Sequence, residues 1–281
     1  MKHYCYFNGQ VLPEDVIRFQ INDLGILRGY SVFDFFRTYN FTPFRIHDYL
    51  IRFENSVKSI DLSMPISKDE ITEKIEELLF WRADKTSEVG IRLLMTGGYS
   101  ANSFNAPENP NFLIRIEDLN PKPTNDYEQG VKVITHQYQR ELPEIKTTNY
   151  SRALIIQKAM QVQKAVDALY HLDGNISECT RNNFFLFKGN TLVTPKNNIL
   201  RGITRKTVLE LAANKFQIEE RDIYLEELKE ATEAFKTGTD TRVLPVIQID
   251  ELKINKKQVG PNTKALMQMF ADFAHESTLL D

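Results

Sequence analysis

Only two cysteines, Cys5 and Cys179, occur in the 281 residues, and they stand far apart. That argues against a disulfide scaffold or a cysteine-based zinc site, and for a reducing compartment. The five histidines (His3, His47, His136, His171, His275) fall in no ligand spacing, so no metal site is expected. Charge of one sign is missing too. With 35 Lys and Arg against 38 Asp and Glu the net charge is −3, so nothing recommends nucleic acid or an anionic membrane as partner. No apolar window is long enough to span a bilayer, and "MKHYCYFNGQ" has no run of signal-peptide length. A cytoplasmic, soluble globular protein is the expectation.

What is there alternates between strands and helices. Asn8-Gly9 in "CYFNGQVLP" supplies the positive-φ pair of a hairpin turn. In "HDYLIRFENSVKSI" the steps between Leu50, Phe53, Val57 and Ile60 are helical. "SKDEITEKIEELLFW" reads as a second helix, with Ser67 as N-cap and acids in its first turn. "GIRLLMT" and "NFLIRIE" read as strands. The Asp/Asn/Pro-rich run "DLNPKPTND" then suggests a linker. A small N-terminal α/β domain over 1–118, a linker over 119–126 and a larger domain over 127–281 follow from this. In the second part "GVKVITHQ" is a strand. A helix follows, with Ile155, Ala159, Val162 and Val166 on its apolar edge, widened by Ile156 and Met160. "FFLFKGNTLVTP" is a hairpin with Gly189-Asn190 at its tip. "ILRGITRKTVLELAANKF" turns at a glycine into a helix. The class is mixed α/β in two lobes.

Lys146, in "PEIKTTNYS", could be a solvated charge or a nucleophilic amine. Glu178, in "NISECTRNNFF", could be a turn residue or a buried acid. Alone, neither decides. Pyridoxal phosphate chemistry needs an amine to bond the aldehyde and shuttle a proton, and a carboxylate to keep the ring nitrogen protonated. The phosphate needs free N–H groups, hydroxyls and a positive charge. Gly202-Ile203-Thr204 opens a helix with such groups, and Thr237-Gly238-Thr239 is a second small turn. Arg52 could supply the charge.

Taken together, "FNGQVLPEDVIRFQINDLGILRGYSVFDFFRTY", "HDYLIRFENS", "EIKTTNY", "SECTRNNFF", "LVTPKNNILRGITR" and "KTGTDTRVLPV" resemble, in order, the fold-type IV (class IV) pyridoxal phosphate-dependent aminotransferases. That family includes branched-chain and D-amino acid aminotransferases and aminodeoxychorismate lyase. The resemblance covers nearly the whole chain. It implies a small N-terminal α/β lobe, a larger C-terminal lobe with a barrel-like sheet, and a homodimer. It implies Lys146 as the Schiff-base lysine, Glu178 on the pyridine nitrogen and Tyr150 donating to the ring hydroxyl oxygen. Leu200 would pack on a ring face. Arg52, Ile203, Thr204, Gly238 and Thr239 would hold the phosphate.

Some positions depart from the family. Arg28 replaces a pocket tyrosine of the branched-chain enzymes and Phe35 a glycine. Gly97 stands where D-amino acid enzymes carry a carboxylate-binding arginine. Asp240 brings a negative charge to the phosphate turn. Arg28, Tyr30, Phe33, Arg92 and Asp240 are the candidate substrate residues. The expected reaction moves an amino group between an apolar, branched-chain-like amino acid and a 2-oxo acid. A lyase of the aminodeoxychorismate type and a catalytically idle homologue are the alternatives.

Overall fold

The computed structural model describes residues 3–82, 84–85 and 87–278. The chain forms two compact units. The first takes the residues up to Asn120, together with Ile145–Asn149 and the C-terminal residues from Ser277; the second takes Pro121–Glu144 and Tyr150–Glu276. None of the described helices is long and apolar enough to cross a membrane.

Unit 1 is built on an antiparallel sheet of β1 (Tyr4–Phe7), β2 (Gln10–Pro13), β3 (Ser31–Tyr39), β4 (Thr42–Pro43), β5 (Val89–Thr96) and β6 (Asn111–Asp118). Its spatial order is β2-β1-β6-β5-β3-β4. The Asn8-Gly9 turn joins β1 to β2 with both residues at positive φ, 45° and 92°, the conformation that asparagine and glycine tolerate best. A short helix, α1 (Leu24–Arg28), precedes β3. Helices α2 (Ile46–Lys58) and α3 (Lys68–Phe80) cover one face of the sheet. Leu50, Phe53 and Val57 are buried as their spacing predicts; α2 ends before Ile60. Ser67 caps α3 by accepting from the Glu70 N–H, and Glu70 reaches back to the Ser67 N–H, so two otherwise orphaned donors are satisfied reciprocally.

Unit 2 is a closed barrel with additions. Its strands are β7 (Val131–Gln137), β8 (Asp167–Leu172), β9 (Asn175–Cys179), β10 (Asn183–Lys188), β11 (Thr191–Thr194), β12 (Gln217–Glu220), β13 (Ile223–Tyr224), β14 (Glu233–Gly238), β15 (Arg242–Ile249) and β16 (Leu252–Lys253). Six of them close a ring, β10-β14-β15-β7-β8-β9, because Asn183 of β10 pairs with Glu178 of β9. β7 pairs in parallel with β15 and β8; the other ring pairs are antiparallel. Alternate residues such as Val133, Leu169, Ile176, Phe184, Leu186 and Leu244 form one buried core, as period-two side chains do in a small barrel. The helices are α4 (Thr124–Gln129), which starts at the end of the stretch 119–126 read as a linker and runs past it, α5 (Ser151–Ile155), α6 (Gln157–Val162), α7 (Ile203–Ala212) and α8 (Pro261–Glu276).

One helix expectation needs correction. The segment after Lys146 is not one helix but α5 and α6, separated at Ile156. Ile156 and Met160 pack inward with Ile134 and Tyr170. Ile155, Val162 and Val166, expected on the core edge, are exposed instead. The break resets the helical phase, so the inward stripe starts one residue later than a continuous helix would place it. Both cysteines are free and buried. Burial pushes the Cys5 thiol up to about 11 and the Cys179 thiol well above its usual value.

Candidate active site

In unit 1 the lysine segment lies along the start of β3. Thr147 bridges Val32, the Phe33 N–H donates to the Lys146 carbonyl at 2.9 Å, and the Thr148 N–H donates to the Ser31 carbonyl at 3.1 Å. The Ser31 and Thr148 hydroxyls hydrogen-bond each other. From α2, the buried Ser56 hydroxyl accepts the Lys146 N–H at 3.3 Å. The backbone of Lys146 is therefore held on two sides. Its Nζ lies 4.6 Å from the centroid of the Phe33 ring, and no carboxylate among the described residues of unit 1 lies within ion-pair distance of it. An ammonium set over an aromatic face, without a carboxylate to fix it, is an amine that can be turned to other uses.

Arg52 does not stand as an isolated charge. Its Nε and Nη2 donate to the two oxygens of Asp34, at 2.9 and 2.6 Å, and Asp34 is fully buried. The fork is further set against the Tyr49 ring at 5.0 Å. Such a bidentate pair fixes the plane of the guanidinium. Arg92 is likewise engaged, by Glu117, and rests against Phe33 and Phe35 at 5.5 and 5.0 Å. Tyr30 gives its hydroxyl to the Ile60 carbonyl, and burial raises its pKa. Its ring covers Gly97, where a Cβ would come within 2.3 Å of it. An arginine at 97 would have to expel that ring, which gives a steric reason for the glycine. Phe35 is accommodated in the same manner, its ring lying over Gly90, where a Cβ would be 2.5 Å away. Arg28 is exposed at the end of α1 and donates to the Leu27 carbonyl.

In unit 2 the centre is Glu178, only 5% exposed. Its Oε1 accepts from Arg140 Nη1 at 3.1 Å and its Oε2 from the Leu200 N–H at 3.0 Å. The Leu200 carbonyl in turn accepts from Asn183 Nδ2 at 2.7 Å. Arg140 is orientated by donating to the Pro143 carbonyl as well. The sequence marked neither Arg140 nor Asn183: each reaches its partner only through the barrel. Asn183 pairs with Glu178 in the sheet, and its Oδ1 lies 2.2 Å from where a Cβ on Gly202 would be. The adjacent Asn182 donates to the Thr237 carbonyl and the Thr241 hydroxyl at 3.3 and 2.7 Å. A Cβ on Gly238 would lie 2.2 Å from its Nδ2. Two consecutive asparagines thus anchor the turn before α7 and the turn after β14, and both turns need glycine.

The residues opening α7 suit an anion. Gly202 occupies the N-cap without a side-chain acceptor, so the Ile203 and Thr204 N–H groups carry the unpaired donors and partial positive charge of a helix start. Thr239 follows Gly238 in the second turn. Asp240 meets Lys122 at 3.5 Å, which offsets the charge it brings to that turn. Tyr150 begins α5. This donor set fits a cofactor with a phosphate at one end and a basic ring nitrogen at the other. It supplies uncapped amides, a hydroxyl and glycine turns for the phosphate, and a buried carboxylate for the nitrogen.

Residues 31–249 match the family model for amino-transferase class IV. The chain belongs to the class IV aminotransferases. A relative from Methanocaldococcus jannaschii described as "Putative branched-chain-amino-acid aminotransferase" is 32% identical over 280 residues, covering 95% of each chain. The D-alanine aminotransferase of Staphylococcus aureus (strain N315) is 26% identical over 278 residues, covering 98% of this chain and 99% of the relative. The fold is that of the Escherichia coli branched-chain amino acid aminotransferase: TM-score 0.90 at 24% identity, with 97% of this chain and 94% of that one covered. The class IV aminotransferase expected from the motifs, with its barrel-like second lobe, is what the chain proves to be.

Proposed function

We propose that this class IV aminotransferase uses pyridoxal 5'-phosphate, held covalently by Lys146, to exchange an amino group between an apolar, branched-chain-like amino acid and a 2-oxo acid. The observation that carries the reading is Glu178. It is a buried carboxylate fixed by a guanidinium and a backbone amide, and its partner Leu200 lies three residues before the amides that open α7. The bound cofactor supplies an aldehyde that takes up an amine and a ring that accepts the electron pair left when the α-proton departs.

The chain's own residues do the rest. Lys146 Nζ would hold the cofactor as an amine and, once free, would carry a proton between the substrate α-carbon and the cofactor side. Glu178 would hold the proton on the ring nitrogen, and Arg140 aims its carboxylate. Leu200 would cover a ring face and Tyr150 would donate to the ring hydroxyl oxygen. Ile203, Thr204, Gly238 and Thr239 would hold the phosphate with Arg52, whose fork Asp34 orients. The apolar preference is supported by Phe33 and Phe35 beside Lys146 and Arg92. Tyr30 over Gly97 leaves no place for a carboxylate-binding arginine there, which tells against a D-alanine type of site. We also propose a homodimer, supported by Leu154, Ile155 and Val162, which are 62%, 67% and 77% exposed. Large apolar side chains concentrated in so short a stretch suit a partner surface.

Borohydride reduction of the cofactor-loaded protein, followed by peptide mapping, tests the core of the reading. The cofactor mass should be fixed on Lys146. A label on another lysine, or none, would overturn it. Amino transfer from individual L- and D-amino acids to pyruvate, a 2-oxo acid with an uncharged side chain, then tests the substrate class.

A further inference from the structure

The open face of the unit 1 sheet carries a row of alternating charges. Register places Phe35 beside Arg92 of β5 and Arg92 beside Arg115 of β6. Glu117, two residues on, faces the same way. It takes the Arg92 fork at both ends, Nε to Oε1 and Nη2 to Oε2, the latter at 3.1 Å. Arg115 lies 3.6 Å from Glu117 on the other side and reaches Glu14 at 2.7 Å. Two guanidinium groups and two carboxylates cancel.

The position of this row gives it meaning. The Phe33 ring has Lys146 Nζ 4.6 Å from its centroid and the Arg92 guanidinium 5.5 Å from it. A cation with a fork suited to carboxylates therefore stands one phenyl ring away from the reacting amine, yet the protein's own glutamate occupies it. We propose that Glu117 is a specificity-determining residue. By holding Arg92 it denies that guanidinium to a substrate side-chain carboxylate, so the enzyme selects uncharged over acidic side chains. This rests on the aminotransferase reading with Lys146 as the reacting amine.

The physical reason is competition at one fork. A second carboxylate approaching Arg92 finds both in-plane donors on that edge in use and meets the charge of Glu117 at close range. The pair is only partly buried, with Arg92 33% and Glu117 18% exposed, so its hold is modest and a neutral isostere at 117 should release it.

The test compares kcat/KM for glutamate and leucine, in whichever configuration the wild-type holoenzyme accepts. Glu117→Gln should raise the glutamate-to-leucine ratio about tenfold. Glu14→Gln removes the same charge from the row but leaves the Arg92 fork closed, and should leave the ratio within twofold. Calorimetric titration gives a readout free of turnover: glutarate should bind E117Q about tenfold more tightly than wild type, losing the gain in high salt, while 4-methylpentanoate should not. Arg92→Leu in the wild-type background keeps the proposal falsifiable should E117Q misfold. With the fork already engaged, R92L should not change glutamate use, and a loss of it would overturn the proposal. An unmoved ratio in E117Q, or an equal rise in E14Q, would also overturn it. Transfer from leucine with an unmoved ratio defeats this proposal alone. No transfer from any amino acid by wild type defeats the aminotransferase reading and this proposal with it.

Discussion

Lys236 and Asp167 face one another inside the barrel, Nζ to Oδ2 at 2.7 Å, each about 4% exposed. They lie on β14 and β8, three strands apart whichever way the ring is followed. Asp167 also receives the Thr180 hydroxyl and the Ala168 N–H, so the pair pins the backbone two residues beyond Glu178. Removing one partner strands a buried charge, at a cost of about 3–5 kcal/mol. Lys236→Met should lower stability by that order in denaturant unfolding. The double variant Lys236→Met/Asp167→Val should recover most of the loss, since apolar replacement of a whole buried pair is often neutral.

The same pair sets a pH dependence. Burial alone would push the Asp167 carboxyl up, but the Lys236 ammonium and the hydrogen bonds from Lys236, Thr180 and Ala168 outweigh it and hold it below the usual value of 3.8. A carboxylate depressed in the folded state contributes stability that is present above its unfolded value and is lost as pH falls through the folded one. The gap between wild type and Lys236→Met should therefore be widest near neutrality and narrow in acid below about pH 4. Unfolding curves measured at a series of pH values would check this.

Gly238→Ala puts a methyl against Asn182 Nδ2, which is buried and has little room to yield. The turn proposed to hold the phosphate should shift and the dissociation constant for pyridoxal phosphate rise about tenfold, the order of one charge-assisted hydrogen bond. Adding Asn182→Gly should recover part of the affinity by removing the obstructing amide. Fluorescence titration of the cofactor would measure both.

Arg140→Met leaves Glu178 with the Leu200 amide but without its guanidinium. Loss of a charged hydrogen bond of this kind is worth about 1.5–3 kcal/mol. Turnover should fall roughly ten- to a hundredfold while circular dichroism stays native. Arg140→Lys, which keeps the charge, should be the milder change.

Ile155→Asp and Val162→Asp place charges on apolar positions that unit 2 leaves exposed. In sedimentation equilibrium these variants should shift a dimeric protein toward monomer without loss of helix content.

Elements decided by near neighbours could be read from the chain. The Asn8-Gly9 turn, the Ser67/Glu70 capping box and the Leu50/Phe53/Val57 stripe each need only residues a few positions apart. The α5–α6 break at Ile156 could not, because nothing in an Ile-Ile-Gln run signals a change of phase. Arg140 and Glu178 stand 38 residues apart, and Lys236 sits in "FKTG" as an ordinary polar strand residue. Their partners are chosen by barrel closure, which turns on the pairing of Asn183 with Glu178. Motif order singles out Lys146 and Glu178 as candidates, while the groups that hold them in the structure, Ser56 and Arg140, carry no such signal.

The run Ile145–Asn149 counts with unit 1 although the chain on either side belongs to unit 2. Neither unit is therefore an uninterrupted piece of polypeptide. A gene split after residue 120 would yield a front half without the strip that lies along Ser31–Phe33, and a rear half carrying that strip with nothing to dock it on. Lys146 is made by one stretch of the chain and seated by another, so a nascent first half leaving the ribosome must wait for it.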